Sequence, residues 1–205
     1  MKTRVIGLSG PIASGKDEVC KVLRRRGAFV IDADEIGHKL LAPQSDVWRA
    51  LVKAFGSKIL MTGGKVNRKK LGEIVFKEPK LLKKLNSIMH PRMREEIKSE
   101  IRNPKFETNS KFERKSKFKT KLIVINAAML KEMGLIPLVD EVWVVMADKG
   151  KRISRLMKAG LTRQQALARG AAQMKDRDYL KMADRVIRND KTRAELKRSI
   201  IDHCI

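Results

Sequence analysis

Short unbroken apolar runs alternate along the chain with longer stretches of helical spacing. Val5, Ile6 and Leu8 make the first run and Ala28-Phe29-Val30-Ile31 the second. Lys121-Leu122-Ile123-Val124-Ile125-Asn126 and Glu141-Val142-Trp143-Val144-Val145-Met146 follow, and residues 183–190 offer a short last one before a closing amphipathic helix. Apolar runs of this length predict strands buried on both faces. After the first run Val19, Val22 and Leu23 recur at helical spacing, and Arg24-Arg25-Arg26-Gly27 ends that helix with late positive charge and a glycine stop. Strand and helix in alternation predict an α/β fold around a parallel sheet.

From Asp46 to Ile101 the pattern is helical, interrupted by a tight turn at Met61-Thr62-Gly63-Gly64-Lys65. A long amphipathic run passes through Leu81, Leu82, Leu85, Ile88 and Met89 and meets His90-Pro91, where proline disfavours helical geometry and predicts a break. Residues 102–121 change character. Phe106, Phe112 and Phe118 recur among lysines with Pro104 and Asn109, which predicts an exposed loop or ragged hairpin with no assigned function. From Lys149 the chain is again helical and rich in arginine, and Thr162 is the expected N-cap of a helix running to about Gln173.

Composition narrows the partners. The 205 residues are 42% hydrophobic, enough for one α/β domain with insertions, and no apolar run is long enough to span a bilayer. No targeting segment is read at the start, and two cysteines, Cys20 and Cys204, fit a reducing compartment, so a cytoplasmic protein is expected. The formal charge of +24 attracts polyanions of any kind, nucleotides and coenzymes included. With one Tyr and two Trp, stacking platforms for nucleic acid are scarce, and nucleic acid is not the expected partner.

The chemistry gathers at Gly10-Pro11-Ile12-Ala13-Ser14-Gly15-Lys16-Asp17, between the first strand and the first helix. Gly10 and Gly15 let the backbone curl so that N–H groups, those of Ile12, Ala13 and Ser14 among them, face bound phosphates, while Lys16 reaches the β- and γ-phosphates. The last position normally carries Ser or Thr as a Mg²⁺ ligand, and here it is Asp17. The second strand ends in Asp32-Ala33-Asp34. If extended, it sets both carboxylates on one side, roughly 7 Å apart, at the sheet edge where α/β proteins bind ligands; alternatively Asp34 caps the helix starting near Glu35.

Taken together these stretches resemble the dephospho-CoA kinase family over nearly the whole chain. The likeness rests on Gly7-Leu8-Ser9-Gly10 through Lys16, on Val30-Ile31-Asp32-Ala33-Asp34 with Ile36-Gly37-His38, and on Gly64-Lys65-Val66-Asn67-Arg68 with Leu71. Met89-His90-Pro91, Arg169 with Gln173, and Ala183-Asp184 with Val186-Ile187 and Asn189 extend it. The resemblance implies a three-layer P-loop kinase with a five-stranded parallel sheet, a helical CoA-binding insertion and a helical lid. The expected core is about 1–45, 119–150 and 184–205, the substrate-binding subdomain about 46–118 and the lid about 151–183. It further implies transfer of the ATP γ-phosphoryl group to the 3′-hydroxyl of dephospho-CoA with Mg²⁺, by a monomer. Asp34 is then the base toward that hydroxyl, with Lys16, Lys158 and Arg155 as cations at the transferring group. Asn189 and Arg155 fall to the nucleotide, and Asp32, Arg68, His90 and Arg169 to the acceptor.

Several positions depart from the family pattern. Asp17 replaces the hydroxyl residue, Asn126 stands where relatives are often acidic, Ala128 where proline is common, and Lys158 where an arginine is expected. Asp17 leaves two readings open. Its carboxylate repels phosphate and silences the site, leaving a nucleotide- or CoA-binding homologue, or it supplies an oxygen to Mg²⁺ while neutral Asn126 removes a charge nearby. A P-loop kinase for another small acceptor is the remaining alternative.

Overall fold

The structure, a computed structural model, describes residues 3–104 and 121–202. Five strands, β1 (Thr3–Ser9), β2 (Phe29–Asp32), β3 (Lys121–Asn126), β4 (Glu141–Met146) and β5 (Arg185–Arg188), form one parallel sheet in the order β2-β3-β1-β4-β5. β1 is central: Ile6 pairs with Val124 and Leu8 with Asn126 on one side, and Leu8 with Trp143 and Ser9 with Val144 on the other. The strands carry no polar face because helices cover both sides of the sheet. Aspartates pin two strand starts from outside. The Asp140 carboxylate accepts the Val5 N–H at 2.7 Å, and Asp184 accepts that of Val142 at 2.7 Å.

The described residues group into two compact units, one made from the chain up to Ile31 and from Asn103 onward, the other Asp32–Arg102. The first unit has its core on the sheet. Ile6, Leu8, Val124, Trp143, Val145 and Ile187 pack with Val19 and Leu23 of α1 (Lys16–Arg24). The helix α9 (Arg193–Asp202) adds Leu196 and Ile200. α1 ends as its sequence predicts: the Ala28 N–H beyond Gly27 donates to Leu23 O at 3.1 Å. Cys20 is buried in this core, whereas Cys204 and Phe106, Phe112 and Phe118 lie outside the described residues. The same unit carries α6 (Lys149–Lys158), α7 (Arg163–Ala171) and α8 (Asp176–Lys181).

The second unit is helical, with α2 (Ala33–Leu40), α3 (Asp46–Phe55), α4 (Arg68–Val75) and α5 (Pro79–Arg102). Val47, Leu51, Phe55, Ile59, Leu71 and Val75 form its own core, and Leu81, Leu82, Leu85, Ile88 and Met89 of α5 pack against it. The turn at residues 61–65 is present, with Leu60 and Val66 bridged antiparallel and the Trp48 indole N–H bound to Gly64 O at 2.7 Å.

One expectation fails here. α5 runs unbroken through His90-Pro91. An interior proline costs about 3 kcal/mol, but Met93 and Ile97 beyond it are buried, at about 1.5–3 kcal/mol each, so packing on both sides of Pro91 outweighs the lost hydrogen bond.

Candidate active site

The C-terminal end of β1 leads straight into the loop at Gly10–Gly15, and Lys16 opens α1. Two glycines make the curl possible. Gly10 has φ +142, and a Cβ there would overlap the Val145 carbonyl oxygen of neighbouring β4. Gly15 has φ +101, and a Cβ there would overlap the Asn189 carboxamide. Between them Ala13 holds φ +59, a left-handed setting that costs about 1–2 kcal/mol in a residue with a Cβ. Such strain persists only where the surroundings impose it.

The imposing groups come from the far end of the chain. Arg155 Nη1 donates to Ala13 O at 2.9 Å and to Ser14 O at 3.2 Å, and its Nη2 donates to Asn189 O at 2.9 Å. Asn189, buried beyond the end of β5, donates Nδ2–H to Ser14 O at 2.7 Å. A planar trans peptide points its N–H opposite to its carbonyl. Holding the Ser14 carbonyl from outside therefore turns the Gly15 N–H to the loop's inner side, while the Ser14 N–H closes the turn on Pro11 O at 3.2 Å. Ser14 Oγ is buried there, with no hydrogen-bond partner among the described residues. Lys16 Nζ reaches back across the ring to Gly10 O at 2.9 Å and Pro11 O at 3.4 Å. Inward N–H groups, an ammonium and the positive end of α1 make an anion cradle.

Asp17 is exposed in the first turn of α1, and Asn126 at the end of β3 donates Nδ2–H to its Oδ1 at 3.5 Å. A hard cation such as Mg²⁺ takes one or two carboxylate oxygens together with phosphate oxygens, and a carboxylate beside a neutral amide at the mouth of an anion cradle fits that donor set.

The helices α6 to α8 are fastened to the same region. Arg152 of α6 is nearly buried and pairs with Asp176 of α8 at 2.6 Å. The Tyr179 hydroxyl donates to Ala128 O at 3.4 Å, and Ser9 Oγ donates to the same oxygen at 3.2 Å. Burial of Tyr179, reinforced by the Glu132 charge, pushes its phenol up to about 12. Between α7 and α8 the Gln173 Oε1 accepts the Ile12 N–H at 2.6 Å.

The structure thus brings Gly10 through Asp17, Arg155 and Asn189 together, and adds Gln173 and Asn126. Lys158 and Arg169 are exposed in the last turns of α6 and α7. Asp32, Asp34, Arg68 and His90 belong to the second unit. There the aspartate pair differs from both sequence readings. The chain turns helical at Ala33, and Asp32, not Asp34, caps α2, accepting the N–H groups of Asp34 at 2.9 Å and Glu35 at 3.2 Å. Asp34 is left exposed in the first turn. Arg68 opens α4 behind the Asn67 cap, and His90 is half-buried within α5.

Sequence reasoning gave Gln173 no role. Its only trace was membership in a matched stretch, because a hydrogen bond across 161 residues leaves no local pattern.

Comparison with known proteins agrees with this geometry. The family model described as dephospho-CoA kinase matches residues 4–195. A dephospho-CoA kinase of Geobacillus kaustophilus is 40% identical over 200 residues, covering 97% of this chain and 94% of that protein. The crystal structure of TT1252 from Thermus thermophilus superposes with a TM-score of 0.79 at 26% identity, covering 99% of this chain and 97% of that one. A dephospho-CoA kinase from Campylobacter jejuni shares the fold, with a TM-score of 0.61 at 24% identity over 98% of this chain and 95% of its own.

Proposed function

The chain belongs to the dephospho-CoA kinase family, and from that premise we propose that it transfers the γ-phosphoryl group of ATP to the 3′-hydroxyl of dephospho-CoA, giving CoA and ADP. The observation that carries this reading is the loop itself, with Gly10, Gly15 and Lys16 shaped as an anion cradle and its Ala13 and Ser14 carbonyls held from behind. Gly10, Ala13, Ser14, Gly15 and Lys16 receive the ATP phosphates, while Ile12, expected among them, gives its N–H to Gln173 at 2.6 Å and shapes the loop instead. Lys16 meets the charge that develops as the bond from Pγ to the β-phosphate oxygen breaks and the 3′-oxygen bonds to Pγ.

Asp34 takes the proton of the 3′-hydroxyl. Its exposed carboxylate is spared capping by Asp32, which leaves it available to a substrate hydroxyl. Arg155 and Asn189 support the nucleotide through the loop, and Lys158 adds lid charge toward the phosphates. Asp32, Arg68, His90 and Arg169 hold the acceptor. Asp17, with Asn126 beside it, would hold Mg²⁺, which when bound neutralises phosphate charge. In this reading the expected coenzyme-binding subdomain, about 46–118, falls largely within the compact unit Asp32–Arg102, and the expected lid, about 151–183, is carried by the helices α6 to α8. Among the described residues no helix is long and apolar enough to cross a membrane. On this proposal the protein is a cytoplasmic monomer acting on small substrates rather than on nucleic acid.

The test is incubation of purified protein with Mg-ATP and dephospho-CoA. Formation of CoA and ADP is the expected result, and Asp34→Asn should lower kcat by about a hundredfold or more while ATP affinity stays within twofold. ATP binding without product would make the chain a silent nucleotide-binding homologue. Turnover of ATP with a different acceptor alone would make it another small-molecule kinase.

A further inference from the structure

We infer that Gln173 is a positioning residue for the nucleotide phosphates, acting through the Ile12 peptide; this rests on the nucleotide role proposed for the loop. Ile12 lies in the curl of the cradle, and its N–H donates to Gln173 Oε1 at 2.6 Å. Because that donor is a backbone N–H, the carboxamide oxygen must be the atom facing the loop, which fixes the side chain's orientation and turns its own N–H groups away.

The carboxamide is itself held in a frame. Gln173 sits in the four-residue stretch between α7, which ends at Ala171, and α8, which begins at Asp176. Asp176 is paired with Arg152 of α6 at 2.6 Å, and buried Tyr179 anchors α8 on Ala128 O. Two residues before Gln173, α7 closes on a capped and bonded helix whose N-cap, Thr162, forms a reciprocal box with Gln165.

The oxygen therefore approaches Ile12 from a segment anchored on its α8 flank and led in by a capped helix on the other. It sits on the side of the loop opposite in chain order to the Arg155 clasp at Ala13 and Ser14. Arg155 and Asn189 orient the second half of the curl and Gln173 the first. A loop gripped at both halves presents its remaining donors without first paying to order itself, and this preorganisation appears as nucleotide affinity.

The test replaces Gln173 by methionine, which keeps length and shape but offers no acceptor strong enough for the N–H. Gln173→Met should weaken ATP and ADP binding about fivefold, measured by calorimetry without acceptor substrate. It should speed hydrogen exchange at the Ile12 amide, leave the KM for dephospho-CoA within twofold and leave Tm unchanged. ATP affinity within twofold of the parent, or tighter, would overturn the assignment. So would a fall in Tm with equal loss of both substrates, which would mark Gln173 as merely structural. Weakened ATP binding in a protein whose parent makes no CoA would uphold Gln173 and overturn the kinase reading instead.

Discussion

Asn189 donates Nδ2–H to the Ser14 carbonyl at 2.7 Å, and its carboxamide fills the space that a Cβ on Gly15 would need. The bond and the missing Cβ are one device: the turn must be bare at Gly15 for the last strand's side chain to reach beneath it. Gly15→Ala should therefore do more than strain a turn. A left-handed alanine costs about 1–2 kcal/mol and a displaced buried hydrogen bond about 1–3 kcal/mol. ATP binding should weaken by at least about thirtyfold, read by calorimetry. Parental affinity in this variant would show that the loop relaxes around the methyl group.

Arg155 spreads its guanidinium over three backbone carbonyls, those of Ala13, Ser14 and Asn189. Arg155→Lys keeps the charge and loses the planar fork. The KM for ATP should rise about tenfold, with the KM for dephospho-CoA within twofold. A kcat that drops with the ATP KM unchanged would instead place the guanidinium on the transferring phosphoryl group.

Asp17 and Asn126 stand 3.5 Å apart at the mouth of the loop. If Asp17 is the metal oxygen, Asp17→Ala should raise the Mg²⁺ concentration for half-maximal turnover about tenfold, and Asp17→Ser should stay active through its hydroxyl. An unchanged Mg²⁺ dependence in the alanine variant sinks the metal role. A silent parent with an active Asp17→Ser variant shows a carboxylate that repels phosphate.

Tyr179 is the single tyrosine of the chain, so the phenolate absorbance of the protein reports one group. Burial raises its folded-state value to about 12 from the ordinary 10.0. The stability linked to that raised value is fully present below pH 10 and lost as pH climbs through about 12, because the unfolded chain gives up its proton first. A spectrophotometric titration should find the native midpoint near 12, and Tyr179→Phe should be the less sensitive of the two proteins across that window. A midpoint near 10 would mean that α8 leaves Ala128 open to water.

Legibility in the sequence followed how local the cause was. β3 and β4 were readable to the residue because burial on both faces writes unbroken apolar runs. Thr162 was readable as a cap because a threonine before a helical run is a local signal, and the structure adds its Gln165 partner three residues on. The Asp32-Ala33-Asp34 triplet held two competent caps, and backbone geometry alone chose the first. Pro91 was misread because the local rule is real but smaller than the packing of Met93 and Ile97. The contacts that shape the loop, from Asn126, Arg155, Gln173 and Asn189, are side chain to backbone or side chain to side chain across more than a hundred residues, and such pairs carry no period.

β1 is central in the sheet yet first in the chain, and this has a consequence for biosynthesis. The ribosome releases Gly10 through Lys16 early, while both sheet neighbours of β1 and every long-range partner of the loop are still untranslated. At about 5–20 residues per second, the interval until Asn189 emerges is roughly 10 to 35 s. Through that interval a nascent chain has the motif without the cradle. The capacity to hold nucleotide arrives late, as the last strand slots in, so polypeptides abandoned midway should neither bind ATP nor compete for it.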